Sequence, residues 1–299
     1  MVQLTSLLSI LLFVLLPGDS PRERGSQAKT GSPAKTGYVS TGRYSLYYEE
    51  TGKGEPLILI HGWLVDRRVW DGQFGLFGRW SRVIRYDNRN HGLSHGLPDS
   101  FSYHQDLNRL MEALGIQRAR LVGLSLGGAI AMDFALAHPE KVTALVLVSP
   151  GLSGYEFRDS TLKENQKKQS DAAARRDMNA YIEYYQRSWT DGPARAPEQV
   201  NRDVRQKVHD MVKATLSKPE PDNTVIPLEP PALGRLASIR VPTLIVMGDL
   251  DMPSIGEIAG LVLKAVPGSR KVVIKGAAHM VNMEKPEEFN EVVGEFLSR

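Results

Sequence analysis

Six short apolar runs constrain this chain more than any other feature: Leu57 to Ile60, Val83 to Tyr86, Arg120 to Gly123, Val142 to Val148, Pro242 to Met247 and Lys271 to Ile274. They are continuous rather than alternating, as expected of strands covered on both faces. Between several of them the spacing turns helical. In Tyr103 to Leu114, the apolar residues Leu107, Leu110, Met111 and Leu114 share one helix face, and Gly115 follows as a stop. Ala129 to Ala137 reads as a helix ending before Pro139, and Pro286 to Leu297 as a closing helix with Phe289, Val292, Val293 and Phe296 inward. Strand and helix in alternation predict an α/β fold, a doubly wound and mostly parallel sheet.

Two stretches fall outside the alternation. Tyr38 to Glu50 alternates and is broken by Thr51-Gly52-Lys53-Gly54, the pattern of an antiparallel hairpin at a sheet edge. The segment from Leu152 to about Leu236 has no convincing buried strand, mixed charge, several Tyr and Trp residues and a Pro-rich exit. It reads as a helical cap (residues 152–236) inserted into one catalytic domain formed by residues 38–151 and 237–299. Its near-balanced charges form a solvated face.

The first residues carry a different signal. Leu7 to Leu16 is apolar all round but shorter than the roughly 20 residues of a membrane-spanning helix. A small-x-small site follows at Ser26-Gln27-Ala28, so residues 1–28 read as a signal peptide or N-terminal anchor and residues 29–37 as a linker. The expected location is secreted or periplasmic, with membrane anchoring if the segment stays uncleaved.

Composition narrows the chemistry. Lys and Arg number 37 against 34 Asp and Glu, and no basic run with interleaved aromatics occurs, which argues against a nucleic-acid partner. The chain contains no cysteine, which excludes disulfides, thiol catalysis and Cys-bound zinc.

The sharpest motif is Gly123-Leu124-Ser125-Leu126-Gly127-Gly128, between an apolar strand and a helix. A serine hydroxyl is a weak nucleophile, so it has to be held exposed beside a base, and a sharp strand-to-helix turn does this. Small residues at 123 and 127 let the backbone pass close by. The turn also places the Leu126 N–H at a helix start, where a developing negative charge is favoured. A base and an acid must then follow in the order Ser, Asp, His. Asp249 and Asp251 sit where the Pro242 to Met247 strand ends, and His279 lies in the loop after the last strand. Of the other histidines, His138, His104 and His209 read as helical and structural and His95 as part of a polar loop; His61 and His91 lie in loops after strands.

Ile60-His61-Gly62-Trp63, the stretch from Tyr86 to Ser94, the Ser125 turn, the Asp251 loop and Gly276 to Glu284 together resemble the α/β-hydrolase superfamily, nearest its esterase, enol-lactonase and cofactor-free perhydrolase branches. The resemblance implies that Asp251 rather than Asp249 is the acid, that Trp63 supplies the second oxyanion N–H beside Leu126, and that His61 supports that loop. It also implies that Asp87, Arg89 and His91 are scaffold, with Asn90 standing where relatives usually carry Gly. Serine at position 125 disfavours the epoxide-hydrolase and dehalogenase branches, which use a carboxylate there.

The expected function is therefore hydrolysis of carboxylic esters of a small, apolar substrate, with catalytic residues Ser125, Asp251 and His279, no cofactor and no metal. Carbon–carbon or enol-lactone hydrolysis and perhydrolysis use the same residues, and a non-catalytic binding protein on this fold is the alternative from another class. Tyr155, Phe157, Tyr184 and Trp189, with Tyr181 and Tyr185, are the candidate substrate-binding residues in the cap. Activity is expected to fall as the histidine protonates.

Overall fold

The computed structural model describes residues 34–40, 42–97, 99–218 and 224–298. The signal peptide or anchor expected in residues 1–28 lies outside them. Among the described residues no helix is long and apolar enough to cross a membrane.

The chain opens with β1 (Lys35–Ser40), β2 (Tyr44–Thr51) and β3 (Pro56–Ile60), followed by α1 (Asp71–Phe77), β4 (Arg82–Tyr86) and the two-residue β5 (His95–Gly96). Next come α2 (Tyr103–Ala113), β6 (Ala119–Leu124), α3 (Leu126–Ala137) and β7 (Val142–Val148). A helical insertion carries α4 (Ser160–Ala174), α5 (Met178–Gln186) and α6 (Arg202–Leu216). The sheet resumes with β8 (Thr243–Gly248), α7 (Pro253–Ala265) and β9 (Arg270–Ile274), and the chain closes with α8 (Val281–Glu284) and α9 (Pro286–Leu297).

The strand order is β1-β2-β4-β3-β6-β7-β8-β9, with β5 paired to β2. From β4 onward every neighbouring pair is parallel, while β1 and β2 form the antiparallel edge hairpin. Two boundaries differ from the sequence reading. Backbone pairing of Lys35 with Glu50 carries β1 three residues into the expected linker, because a ladder needs only backbone groups and tolerates Lys-Thr-Gly at an edge. His95, read as loop, pairs with Ser45 in β5.

The period of two along each central strand decides where its residues go. On β3, Ile58 and Ile60 enter the core on one side of the sheet with Leu110, Phe134 and Ile258 from α2, α3 and α7. Leu57 and Leu59 enter the other, with Phe74, Phe77 and Phe289 from α1 and α9. Both faces are thus covered along the central strands, which is why they read as unbroken apolar runs, whereas β9, read in the same way, is the sheet's edge strand with only Ile274 buried. Parallel strands all end on one edge, and the loops after β3, β6, β8 and β9 gather there.

Candidate active site

β6 ends at Leu124 and α3 begins at Leu126, leaving Ser125 alone in the turn with φ 55° and ψ −115°. A non-glycine residue there is strained by on the order of 1–3 kcal/mol, and the surroundings have to enforce it. They do so from both sides. The Ser125 N–H donates to the Val148 carbonyl at 2.9 Å, and the Ser125 carbonyl accepts from Gly151 N–H at 2.9 Å. A Cβ at position 123 would run into the Gly127 carbonyl, and one at 127 into the Ile60 carbonyl. Glycine at both positions is therefore what lets β6, α3 and the end of β3 approach so closely.

Asp251 follows β8 and His279 follows β9. The His279 Nδ1 lies 3.0 Å from both Asp251 carboxylate oxygens, and both side chains are buried. An imidazole facing a carboxylate through Nδ1 carries its proton there, so Nε2 is the nitrogen that can accept another. Asp251 is itself fixed by accepting from the Met252 N–H at 2.8 Å. Asp249 is engaged elsewhere: it is exposed and accepts from the Gly276 N–H at 2.7 Å, tying the β8 loop to the β9 loop. His279 and Ser125 line the same cavity.

The loop after β3 runs along the other side of Ser125, close enough that a Cβ on Gly62 would sit 3.3 Å from the serine Cβ. Among the described residues, neither the Trp63 N–H nor the Leu126 N–H donates a hydrogen bond, and both residues line the cavity. His61 holds this loop. Its Nε2 accepts from the Asn88 N–H at 2.8 Å, so Nδ1 must carry the proton that bonds the Gly62 carbonyl at 2.7 Å. Burial pushes the imidazole down to about 4, keeping it neutral. The His91 ring lies 5.2 Å from it at a tilt, is likewise pushed down by burial, to about 3, and bonds the Arg89 carbonyl. Asp87 and Arg89 join the scaffold, Arg89 through a bidentate pair with Asp106 at 2.9 and 2.7 Å. Asn90 adopts φ 69°, a left-handed conformation that Asn tolerates better than most residues.

The cavity measures about 360 Å³ and is lined mainly by apolar side chains, among them Leu124, Ile130, Leu152, Phe157, Trp189 and Leu228. The insertion supplies much of that lining and braces the loops below. A π-helical turn, Arg187–Asp191, follows α5 and brings the Trp189 ring to 4.6 Å from the His279 ring. Tyr185 donates to the Trp63 carbonyl at 2.6 Å. Arg195 pairs at 2.7 Å with Glu284, whose other oxygen accepts from the Ala278 N–H at 2.8 Å, one residue before His279.

Of the aromatic candidates, Phe157, Tyr185 and Trp189 reach the cavity. Tyr184 does not: one residue of helix turns it about 100° from Tyr185, and its ring lies under the Lys168 ammonium instead. Tyr155 packs edge-on against Phe157 and bonds Glu257, one layer back, and Tyr181 does not line the cavity. Sequence reasoning overlooked Arg195, Glu284 and Asp133. Asp133 had a signal: it is the lone charge in the apolar helix α3. Among the described residues no group of His, Cys, Asp and Glu side chains converges in a way that could hold a metal ion.

Comparison with known proteins agrees with this architecture. The profile of the alpha/beta hydrolase fold family matches residues 55–286. A pimeloyl-[acyl-carrier protein] methyl ester esterase of Photobacterium profundum is 27% identical over 264 residues, covering 85% of this chain and 98% of its own. A 2-hydroxy-6-oxononadienedioate/2-hydroxy-6-oxononatrienedioate hydrolase of Burkholderia vietnamiensis is 29% identical over 284 residues, covering 85% and 91%. The structure of a thermophilic esterase from Thermogutta terrifontis superposes with a TM-score of 0.70 at 25% identity, covering 89% of this chain and 98% of that one. The chain belongs to the alpha/beta hydrolase family.

Proposed function

We propose that this hydrolase cleaves carboxylic esters of small, apolar substrates through an acyl-enzyme on Ser125. The observation that carries the reading is the buried Asp251–His279 pair opening onto the same apolar cavity as a serine held at positive φ. The esterase relatives support it in kind. In this mechanism the ester carbonyl lies between the N–H groups of Trp63 and Leu126, and the Ser125 hydroxyl attacks it. His279 Nε2 takes the hydroxyl proton while Asp251 holds the tautomer and balances the imidazolium. Charge develops on the carbonyl oxygen, where the start of α3 favours it. Collapse of the tetrahedral intermediate expels the alcohol, protonated by His279, and water activated by the same imidazole releases the acid. The insertion acts as a cap, its aromatic side chains excluding bulk water from the acyl group.

The test is a panel of p-nitrophenyl esters of increasing acyl length, with Ser125→Ala beside the wild type. Ester turnover that drops by about 10⁴-fold or more in kcat on Ser125→Ala is expected. Equal turnover by the two proteins rejects the nucleophile, and no turnover of any ester by the wild type rejects the substrate class.

A further inference from the structure

The cavity that holds Ser125 contains a second group with chemistry of its own. Asp133 is the only carboxylate among the described residues lining it, set in a wall that is otherwise largely apolar. Ser125, Ala129 and Asp133 follow one another at intervals of four, so the cavity runs along one face of α3 from the serine at its start. Ser125 stands just before the first helical residue, and the seven helical steps from Leu126 to Asp133 set the two side chains roughly 10 Å apart along the axis.

One Asp133 oxygen accepts from the Ser153 hydroxyl at 2.5 Å. Among the described residues the other has no hydrogen-bond partner, and the side chain is only partly buried, so a residue lining the cavity keeps an unused acceptor. Such a group in an apolar wall favours a ligand that donates to it. A neutral donor suits it better than a cation. Arg235 already supplies the local positive charge, with its guanidinium against the Pro230 and Leu136 carbonyls, and it acts on Asp133 electrostatically. Burial nevertheless pushes the Asp133 carboxyl up to about 6. His104, from α2, lines the same cavity, and burial holds its imidazole toward the neutral form.

We propose that Asp133 is a specificity-determining residue that selects ester substrates whose chain ends in a hydroxyl group, roughly eight carbons from the reacting carbonyl by the helix rise. This rests on the ester-hydrolase reading above, and the hydroxyl-bearing chain lies on either the acyl or the alcohol side of the ester.

The experiment compares kcat/KM for two matched pairs: p-nitrophenyl 8-hydroxyoctanoate against p-nitrophenyl octanoate, and 8-hydroxyoctyl acetate against octyl acetate. In the wild type one pair shows a preference of about tenfold for the hydroxylated member, the size of one hydrogen bond to a charged group. That pair identifies the side of the ester. Asp133→Leu brings the ratio to one or below, and Asp133→Asn, which keeps an acceptor, falls between. Each ratio is taken within one protein sample, so the folded fraction cancels. A ratio near one for both pairs in the wild type overturns the proposal, as does a preference that survives Asp133→Leu.

Binding keeps the two readings separable. On Ser125→Ala, calorimetric titration with methyl 8-hydroxyoctanoate, methyl octanoate and the two acetates requires no turnover. Tighter binding of a hydroxylated member that is lost in the Ser125→Ala, Asp133→Leu protein supports the role of Asp133 even if ester hydrolysis fails. Equal affinities within both pairs reject it even if hydrolysis succeeds.

Discussion

Acidification should destabilise this fold through the two neutral imidazoles behind the β3 loop, and the size of the effect can be worked from their environment. In an unfolded chain a histidine near 6.5 is protonated at pH 5, which favours unfolding by about 2 kcal/mol. Folded His61, held down to about 4, and His91, held down to about 3, gain almost nothing at that pH. Their joint contribution is fully present above 6.5 and is lost as pH falls, by roughly 4 kcal/mol between pH 8 and pH 5. Asp133 works the other way. Its folded carboxyl, raised to about 6, takes up a proton in this interval, while the unfolded one near 3.9 stays ionised, returning about 1 kcal/mol. The roughly 3 kcal/mol lost through these three groups together is a large share of the 5–15 kcal/mol typical of a folded domain. Other charges face this pair: Asp66, Arg67, Asp87 and Lys218. A variant is therefore needed to isolate the histidines. His91→Asn keeps a donor near the Nδ1 position that bonds the Arg89 carbonyl and removes the titrating ring. Urea unfolding followed by far-ultraviolet circular dichroism at both pH values should show the variant losing about 2 kcal/mol less than the wild type on acidification. Parallel losses in the two proteins would refute the reasoning, whatever their absolute stabilities.

Three further outcomes follow from the site. Asp251→Asn should lower kcat for ester hydrolysis by about 10³–10⁴-fold, whereas Asp249→Asn should cost less than about tenfold because its oxygen holds a loop rather than the imidazole; steady-state kinetics that reverse this ranking would move the acid role to Asp249. Tyr185→Phe strands the Trp63 carbonyl and should lower kcat/KM by about tenfold, and an unchanged value would show that the insertion does not govern the β3 loop. Gly127→Ala drives a methyl group into the Ile60 carbonyl, so thermal unfolding should report a lowered Tm together with lost activity; a variant of native Tm and full activity would contradict the close approach described for this turn.

Much of this architecture was legible in the sequence because its determinants are local. The central strands announced themselves as unbroken runs since both faces are covered, and Ser125 was legible through Gly123 and Gly127, whose small size the turn demands. α1 and α7 were harder to see: Gly72 and Gly75 interrupt the first, Gly256 and Gly260 the second, and glycine weakens the helical signal that tertiary packing then overrides. His279 could be chosen by chain order, but Asp251 needed the family resemblance, because Asp249 and Asp251 leave the same strand and only the β9 loop determines which one meets the imidazole. The bracing of the site was illegible for a different reason. Arg195 and Glu284 are 89 residues apart, and no spacing rule links an insertion to a loop that distant. Tyr184 and Tyr185 were equivalent by composition, and the phase of α5 separates them.

The indole lying against His279 bears on the order of events during turnover. His279 is 1% exposed, so on the ester-hydrolase reading the water that resolves the acyl-enzyme arrives by the path the departing alcohol has just used. The first product must clear before the second nucleophile comes in, and any alcohol retained at that spot is well placed to take the acyl group back. Transfer to added alcohols would then compete with hydrolysis, with the balance set by how completely Trp189 and its neighbours keep solvent out of the passage.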